Sequence, residues 1–164
     1  METRKIALAS VIAALYAIGV ILLAPISFLI FQVRIADALI PLSILFGWPV
    51  IVGVTLGNIV ANIYSPFGYI DVIGGSIANF LASYVGWKIG SRNFTGSQFV
   101  ATVAQNLIVS SIVGSYLAVL ILEIPLEEGF LGVLLGSIIS MNILGYALVL
   151  AIEKSGVQTK LSRS

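Results

Sequence analysis

The chain has 164 residues, of which 59% are hydrophobic and 9% charged, with a mean hydropathy of +1.13. A soluble domain carries about a quarter charged residues, so this composition cannot cover a globule with polar groups and reads as an all-α integral membrane protein. A net charge of +1 offers no field for nucleic acid, and the absence of cysteine and histidine excludes disulfides, thiol or imidazole catalysis and the common zinc sites.

A bilayer core takes about 20 helical residues to cross. The first uncharged run, Ile6–Val33, follows Arg4-Lys5 and predicts a span near 6–31. It is longer than the roughly 7–15 apolar residues of a signal peptide. The next run, Ala38–Ile70, would make a helix of about 50 Å at 1.5 Å per residue, too long for one crossing. Gly47-Trp48-Pro49 at its middle favours a break, which gives two short spans over 35–47 and 49–64. Further spans are expected over 70–90, 98–122 and 129–152. Residues 1–155 form one membrane domain in this reading, and 156–164 form a short cytoplasmic tail.

Charge supports six spans with both termini cytoplasmic. Arg4, Lys5, Lys88, Arg92, Lys154, Lys160 and Arg163 then face inward. Arg34 alone lies outside, beside Asp37, Asp71, Glu123, Glu127 and Glu128, as the positive-inside rule requires. Five spans would export Lys88, Arg92 and the basic tail.

Small residues recur at four-residue spacing, the pattern of closely packed membrane helices: Gly57 with Ala61, Gly74 with Ala78, Gly86 with Gly90, and Gly132, Gly136 and Ser140. The segments beginning at Gly57 and Gly74 resemble each other, and an internal repeat or shared packing chemistry explains the similarity. Ala9, Ala13 and Ala17 form such a face on the first span. Two uses for it stand open, packing within the chain or a smooth surface for another membrane protein.

Polar groups inside a membrane are costly, so their placement is informative. Under this topology Asn58, Asn62, Asp71, Asn79, Arg34 and Asp37 converge near the outer surface with the rings of Tyr64, Phe67 and Tyr69. Taken singly, the asparagines (with Asn106 and Asn142) read as interhelical glue, Arg34 and Asp37 as an interfacial pair, and the rings as an aromatic belt. One solvated pocket open to the exterior explains the group together. A carboxylate accepts two parallel hydrogen bonds and an asparagine both donates and accepts. With rings for stacking, this set suits a flat, nitrogen-rich heterocycle, although amino acids or cations can use the same groups.

The segment Val33-Arg34-Ile35-Ala36-Asp37-Ala38-Leu39-Ile40-Pro41-Leu42 and the stretch from Gly57 to Ala82 resemble the QueT family of queuosine-precursor transporters. The latter includes Ala61-Asn62-Ile63-Tyr64-Ser65-Pro66-Phe67-Gly68-Tyr69-Ile70-Asp71-Val72 and Gly74-Gly75-Ser76-Ile77-Ala78-Asn79. The resemblance covers about residues 5–155 and is specific over 33–82. It implies an S component of an energy-coupling factor (ECF) transporter: a six-helix plasma-membrane bundle that captures a vitamin-like molecule outside. Such a subunit works with a transmembrane coupling subunit and two cytoplasmic ATPases.

The resemblance also implies docking on that partner through Ala9, Ala13 and Ala17. Within the pocket, Asp71 is expected to accept from the ring N–H and amine of a 7-deazaguanine. Asn62, Asn79 and Asn58 would address its carbonyl edge, Tyr64, Phe67 or Tyr69 would cover it, and Arg34 with Asp37 would order the gate. No P-loop, metal cluster or catalytic pair occurs in the sequence, so no cofactor, metal or enzymatic activity is expected. The alternative is a stand-alone, gradient-driven transporter of a small polar metabolite.

Overall fold

The computed structural model describes residues 3–27, 33–92 and 94–156. Lys160, Arg163, most of the expected tail and the last part of the expected first span lie outside the described residues.

Helix α1 (Thr3–Leu22) buries Ala9, Ile12, Tyr16, Ala17 and Val20. Ile6, Val11, Leu15, Ile18 and Leu22 stay exposed on its other side. Lipid tails are as apolar as leucine, so close packing rather than hydropathy decides which face turns inward. The chain breaks at Leu23 and resumes as the short α2 (Ala24–Ser27), so the single helix expected over 6–31 is interrupted. Pro25 is the cause: it has no backbone N–H for the preceding turn and its ring clashes with a continuing helix.

A 3₁₀ helix over Ile35–Leu42 passes into α3 (Ser43–Phe46). A 3₁₀ helix rises about 2.0 Å per residue against 1.5 Å for an α-helix, so this short segment reaches about 22 Å. Gly47 turns the chain at φ 61°, and α4 (Trp48–Asn62) opens with Pro49 in its first turn. The break therefore falls where Gly47-Trp48-Pro49 predicts it. A Cβ on Gly47 would stand 3.0 Å from the Trp87 indole nitrogen, so that ring seals the corner.

Then follow α5 (Gly68–Gly90), α6 (Ser97–Tyr116), α7 (Leu126–Ser137) and α8 (Tyr146–Ser155). π-Helical stretches over Leu117–Leu122 and Ile138–Gly145 extend α6 and join α7 to α8. Thr3–Leu22, Ser97–Leu122 and Leu126–Ser155 are long and apolar enough to cross a membrane, and Ile35–Phe46 and Trp48–Asn62 are shorter apolar helices. Helix α5 has the length, at 23 residues, but Asp71, Ser76, Asn79, Ser83 and Lys88 dilute its hydropathy.

Helix α1 packs along α4, α4 on α5, α5 on α6 and α6 on α7, while the 3₁₀ helix lies against the second π stretch. A Cβ on Gly53 would meet the Ala9 carbonyl and Ile12, and one on Gly57 the Ala13 carbonyl and Tyr16. Helices α1 and α4 thus run in the same direction at backbone contact. Ala9 and Ala17 are buried and Ala13 half-buried. Their small side chains let α4 approach within the same chain.

The alternating directions of the helices segregate charge. The starts of α1 and α6 and the ends of α5 and α8 share one end, where Trp87, Ser97, Tyr146 and Glu153 line a common cavity. Arg4, Lys5, Lys88, Arg92 and Lys154 therefore gather there, with Lys88 Nζ 4.6 Å above the Trp87 ring. Glu123, Glu127 and Glu128 mark the opposite end. Between α6 and the second π stretch, Asn106 donates to Asn142 (2.5 Å), Asn142 to Thr102 (3.3 Å) and Ser110 to Asn106 (2.9 Å). These two asparagines satisfy each other as interhelical glue.

Candidate functional site

Arg34 precedes the 3₁₀ helix in extended conformation (φ −83°, ψ 94°), and Asp37 sits one turn inside it. Helix α4 brings Asn58 and Asn62 one turn apart on the face toward α5, which contributes Asp71, Ser76 and Asn79. All are buried. Two adjacent glycines on α5 make room for them. A Cβ on Gly75 would stand 2.8 Å from the amide nitrogens of both Asn58 and Asn62, and one on Gly74 would stand 2.6 Å from the Tyr116 ring.

The guanidinium of Arg34 reaches three acceptors on three elements. Nη2 donates to Asp71 Oδ2 at 3.2 Å, Nη1 to Asn58 Oδ1 at 3.2 Å, and Nε to the Ser27 carbonyl at 3.4 Å. The Arg34–Asp71 ion pair is almost fully enclosed, its side chains 4% and 0% exposed. Two tyrosines complete the cluster. Tyr116 donates to Asp71 Oδ1 at 2.5 Å, and Tyr16 Oη lies 2.5 Å from Asp37 Oδ1 and 3.3 Å from Asn58 Oδ1. A hydroxyl has one proton, so Tyr16 gives it to the nearer carboxylate. Asn62 donates to the Asp71 backbone carbonyl at 2.8 Å, and Asn58 to Ser76 Oγ at 3.3 Å.

Burying a charge costs several kcal/mol unless it is paired and hydrogen-bonded. Two carboxylates face one guanidinium here, leaving one formal negative charge in excess, and the tyrosine hydroxyls offset only part of that. Within the same region Ser27 Oγ, Asn62 Oδ1 and Asn79 Nδ2 are buried with no hydrogen-bond partner. Buried polar groups in folded proteins are nearly always satisfied. Three such atoms lie in the region of this charged cluster.

Of the residues singled out from the sequence, Arg34, Asp37, Asn58, Asn62, Asp71 and Asn79 come together. Tyr64 and Tyr69 do not: they are 70% and 75% exposed. Tyr69 lies two residues before Asp71, about 200° around the helix, so the two side chains point to different sides. Phe67 is half-buried against the core. Tyr16, Tyr116 and Ser76 were not anticipated. The available signal was a tyrosine inside an otherwise apolar run, whose hydroxyl needs a partner once buried.

A cavity of about 600 Å³ opens at the basic end between Trp87, Gly90, Ser97, Gln98, Tyr146 and Glu153. Its one carboxylate, Glu153, is solvent-exposed and bound by Gln98 at 3.0 Å. It lacks the enclosed charges of the Arg34–Asp71 cluster.

An all-helical membrane protein that keeps a buried ion pair and unpartnered amides inside its bundle, with no metal-ligating group of side chains among the described residues, is built to handle a polar solute. That class is the membrane transporters. The family model for the QueT transporter matches residues 6–154, and the chain belongs to the QueT family, a family of transporters and not of enzymes. No curated protein and no solved structure matches the chain.

Proposed function

We propose that this chain is the substrate-capturing S component of an ECF-type importer in the plasma membrane, taking up a 7-deazaguanine precursor of queuosine or archaeosine. In this reading it crosses the bilayer six times, along 3–27, 35–46, 48–62, 68–90, 97–122 and 126–155, as one membrane domain with both termini in the cytoplasm. The gathering of Arg4, Lys5, Lys88, Arg92 and Lys154 at one end supports that orientation, and leaves the Arg34–Asp71 cluster toward the outside. Hydrolysis falls to partner ATPases acting through a coupling subunit, because the sequence has no P-loop.

The observation that carries the substrate class is the enclosed Asp71 carboxylate beside the unpartnered amide oxygen of Asn62, with a second unpartnered amide, Asn79 Nδ2, two turns further along α5. Asp71 accepts from the ring N–H and exocyclic amine of the base. Asn79 Nδ2 donates to its carbonyl, Asn58 and Asn62 flank the same edge, and Phe67 covers the ring. Arg34 and Asp37 order the gate. Asp71→Asn in purified protein is expected to weaken 7-deazaguanine binding at least tenfold by calorimetry, since an amide offers a donor where the ligand also brings one. Unchanged affinity removes the central contact.

A second reading is a gradient-driven transporter working alone. It is favoured by the carboxylate in excess over the one guanidinium, with Asp37 held by Tyr16, a group able to carry a proton. Uptake of 7-deazaguanine into liposomes containing only this chain, driven by an imposed pH gradient, decides for it.

A further inference from the structure

We propose that the Arg34 guanidinium is an internal stand-in for the ligand, and that substrate binds by displacing it. This rests on the reading above that the cluster is the substrate site.

A guanidinium is a flat group with N–H donors on every edge and no acceptor. Its two Nη atoms address Asp71 Oδ2 and Asn58 Oδ1, acceptors on two different helices, while Nε addresses the Ser27 carbonyl. The ring N–H and exocyclic amine of a 2-aminopyrimidinone present the same pair of parallel donors. A substrate of that class, held by Asp71, therefore competes with Arg34 for Asp71 Oδ2.

Two features show that the acceptors are not tailored to Arg34. Its three contacts measure 3.2, 3.2 and 3.4 Å, whereas charge-assisted N–H···O bonds settle near 2.7–2.9 Å. The buried Asn62 Oδ1, on the side chain bonded to the Asp71 backbone, also stays unsatisfied, although Arg34 brings N–H donors into the same cluster. A heterocycle with a further N–H beside the donors that meet Asp71 satisfies both Asp71 and Asn62. Arg34 itself is extended just before the 3₁₀ helix, so its departure leaves that helix wound.

Charge balance adds a constraint. If Arg34 leaves and a neutral base enters, two buried carboxylates face no cation. The exchange therefore needs either a cationic ligand or the uptake of one proton by the cluster, whose second carboxylate, Asp37, is bonded by Tyr16.

The test is chemical rescue. Arg34→Ala protein is melted in detergent with millimolar guanidinium chloride, and separately with tetramethylammonium chloride, which has no N–H. Guanidinium is expected to raise the melting temperature of the variant but not of the wild type, and tetramethylammonium to raise neither. In calorimetry, guanidinium and 7-deazaguanine should exclude each other from the variant. With the internal competitor gone, 7-deazaguanine should bind about tenfold more tightly than to wild type, as expected when the competent state is otherwise a minor one. Wild-type binding of neutral 7-deazaguanine should take up about one proton, read from its heat in buffers of different ionisation enthalpy. If Arg34→Ala does not fold, Arg34→Lys serves: its point charge lacks the planar fork, and affinity should again rise.

A fall in 7-deazaguanine affinity in either variant, or guanidinium acting on variant and wild type alike, overturns the proposal. The guanidinium arm does not depend on the natural ligand. Rescue without any 7-deazaguanine binding would therefore sink the substrate assignment while leaving the displaced-arginine site standing.

Discussion

Gly75→Ala tests the site without touching a charge. The new Cβ would stand 2.8 Å from both Asn58 Nδ2 and Asn62 Nδ2, a separation real side chains do not tolerate, so both amides must move. Asn62 then loses its 2.8 Å bond to the Asp71 carbonyl and Asn58 its 3.3 Å bond to Ser76. Each bond is worth about 1 kcal/mol net, while alanine in a helix interior returns about 1 kcal/mol over glycine. The balance is a loss of about 1 kcal/mol, or about 2–4 °C in melting temperature for a chain of this size. Binding should suffer more, because two of the amides proposed to flank the ligand are displaced: at least tenfold, or about 1.4 kcal/mol, by calorimetry with 7-deazaguanine. Gly90→Ala is the control, a glycine of the same helix whose Cβ would meet the Ile44 side chain, about 22 Å along α5 from Gly75, and its affinity should not change. A Gly75→Ala protein that binds within twofold of wild type refutes the placement of Asn58 and Asn62 at the ligand.

Tyr116→Phe removes the donor to Asp71 Oδ1 and leaves a buried carboxylate oxygen unsatisfied, which should lower stability by about 1–3 kcal/mol, read as a lower melting temperature in detergent. A phenylalanine variant as stable as wild type would show that Tyr116 does not hold Asp71. Asn106 and Asn142 behave differently: a double-mutant cycle with alanine should give a coupling near 0.6 kcal/mol, as for other membrane hydrogen bonds, with 7-deazaguanine affinity unaltered. A loss of binding there would move the site toward the second π stretch.

Local features carried well from sequence to structure because local physics sets them. The corner at Gly47 follows from a residue that tolerates φ 61° and a proline suited to opening the next helix. Proline also explains the break missed at Leu23: Pro25 lay inside the first uncharged run, and the run's length outweighed it. The 3₁₀ form of Ile35–Leu42 leaves no trace in hydrophobic periodicity over so short a stretch, and only Pro41 hinted at irregular backbone.

Long-range partners were harder to read. The polar residues of 33–82 could be grouped because turns bring neighbouring helices together. Tyr16 and Tyr116 reach the same cluster from α1 and α6, separated from Asp37 and Asp71 by 21 and 45 residues, and nothing in their own neighbourhoods names a partner. The alanine face is hard to read for a related reason. Small residues every fourth position say that a backbone will come close, without saying whose, and Gly53 and Gly57 on α4 supply the answer inside the chain. The same ambiguity surrounds Arg34. From sequence it is a cation next to Asp37, the natural local pair, yet its guanidinium is held by Asp71, 37 residues away, and Tyr16 takes Asp37 instead. That exchange of partners links the 3₁₀ helix, α4 and α5 through one side chain, so removing Arg34 breaks one tie to each, while the bonds of Asn62 to Asp71, Asn58 to Ser76 and Tyr16 to Asp37 remain.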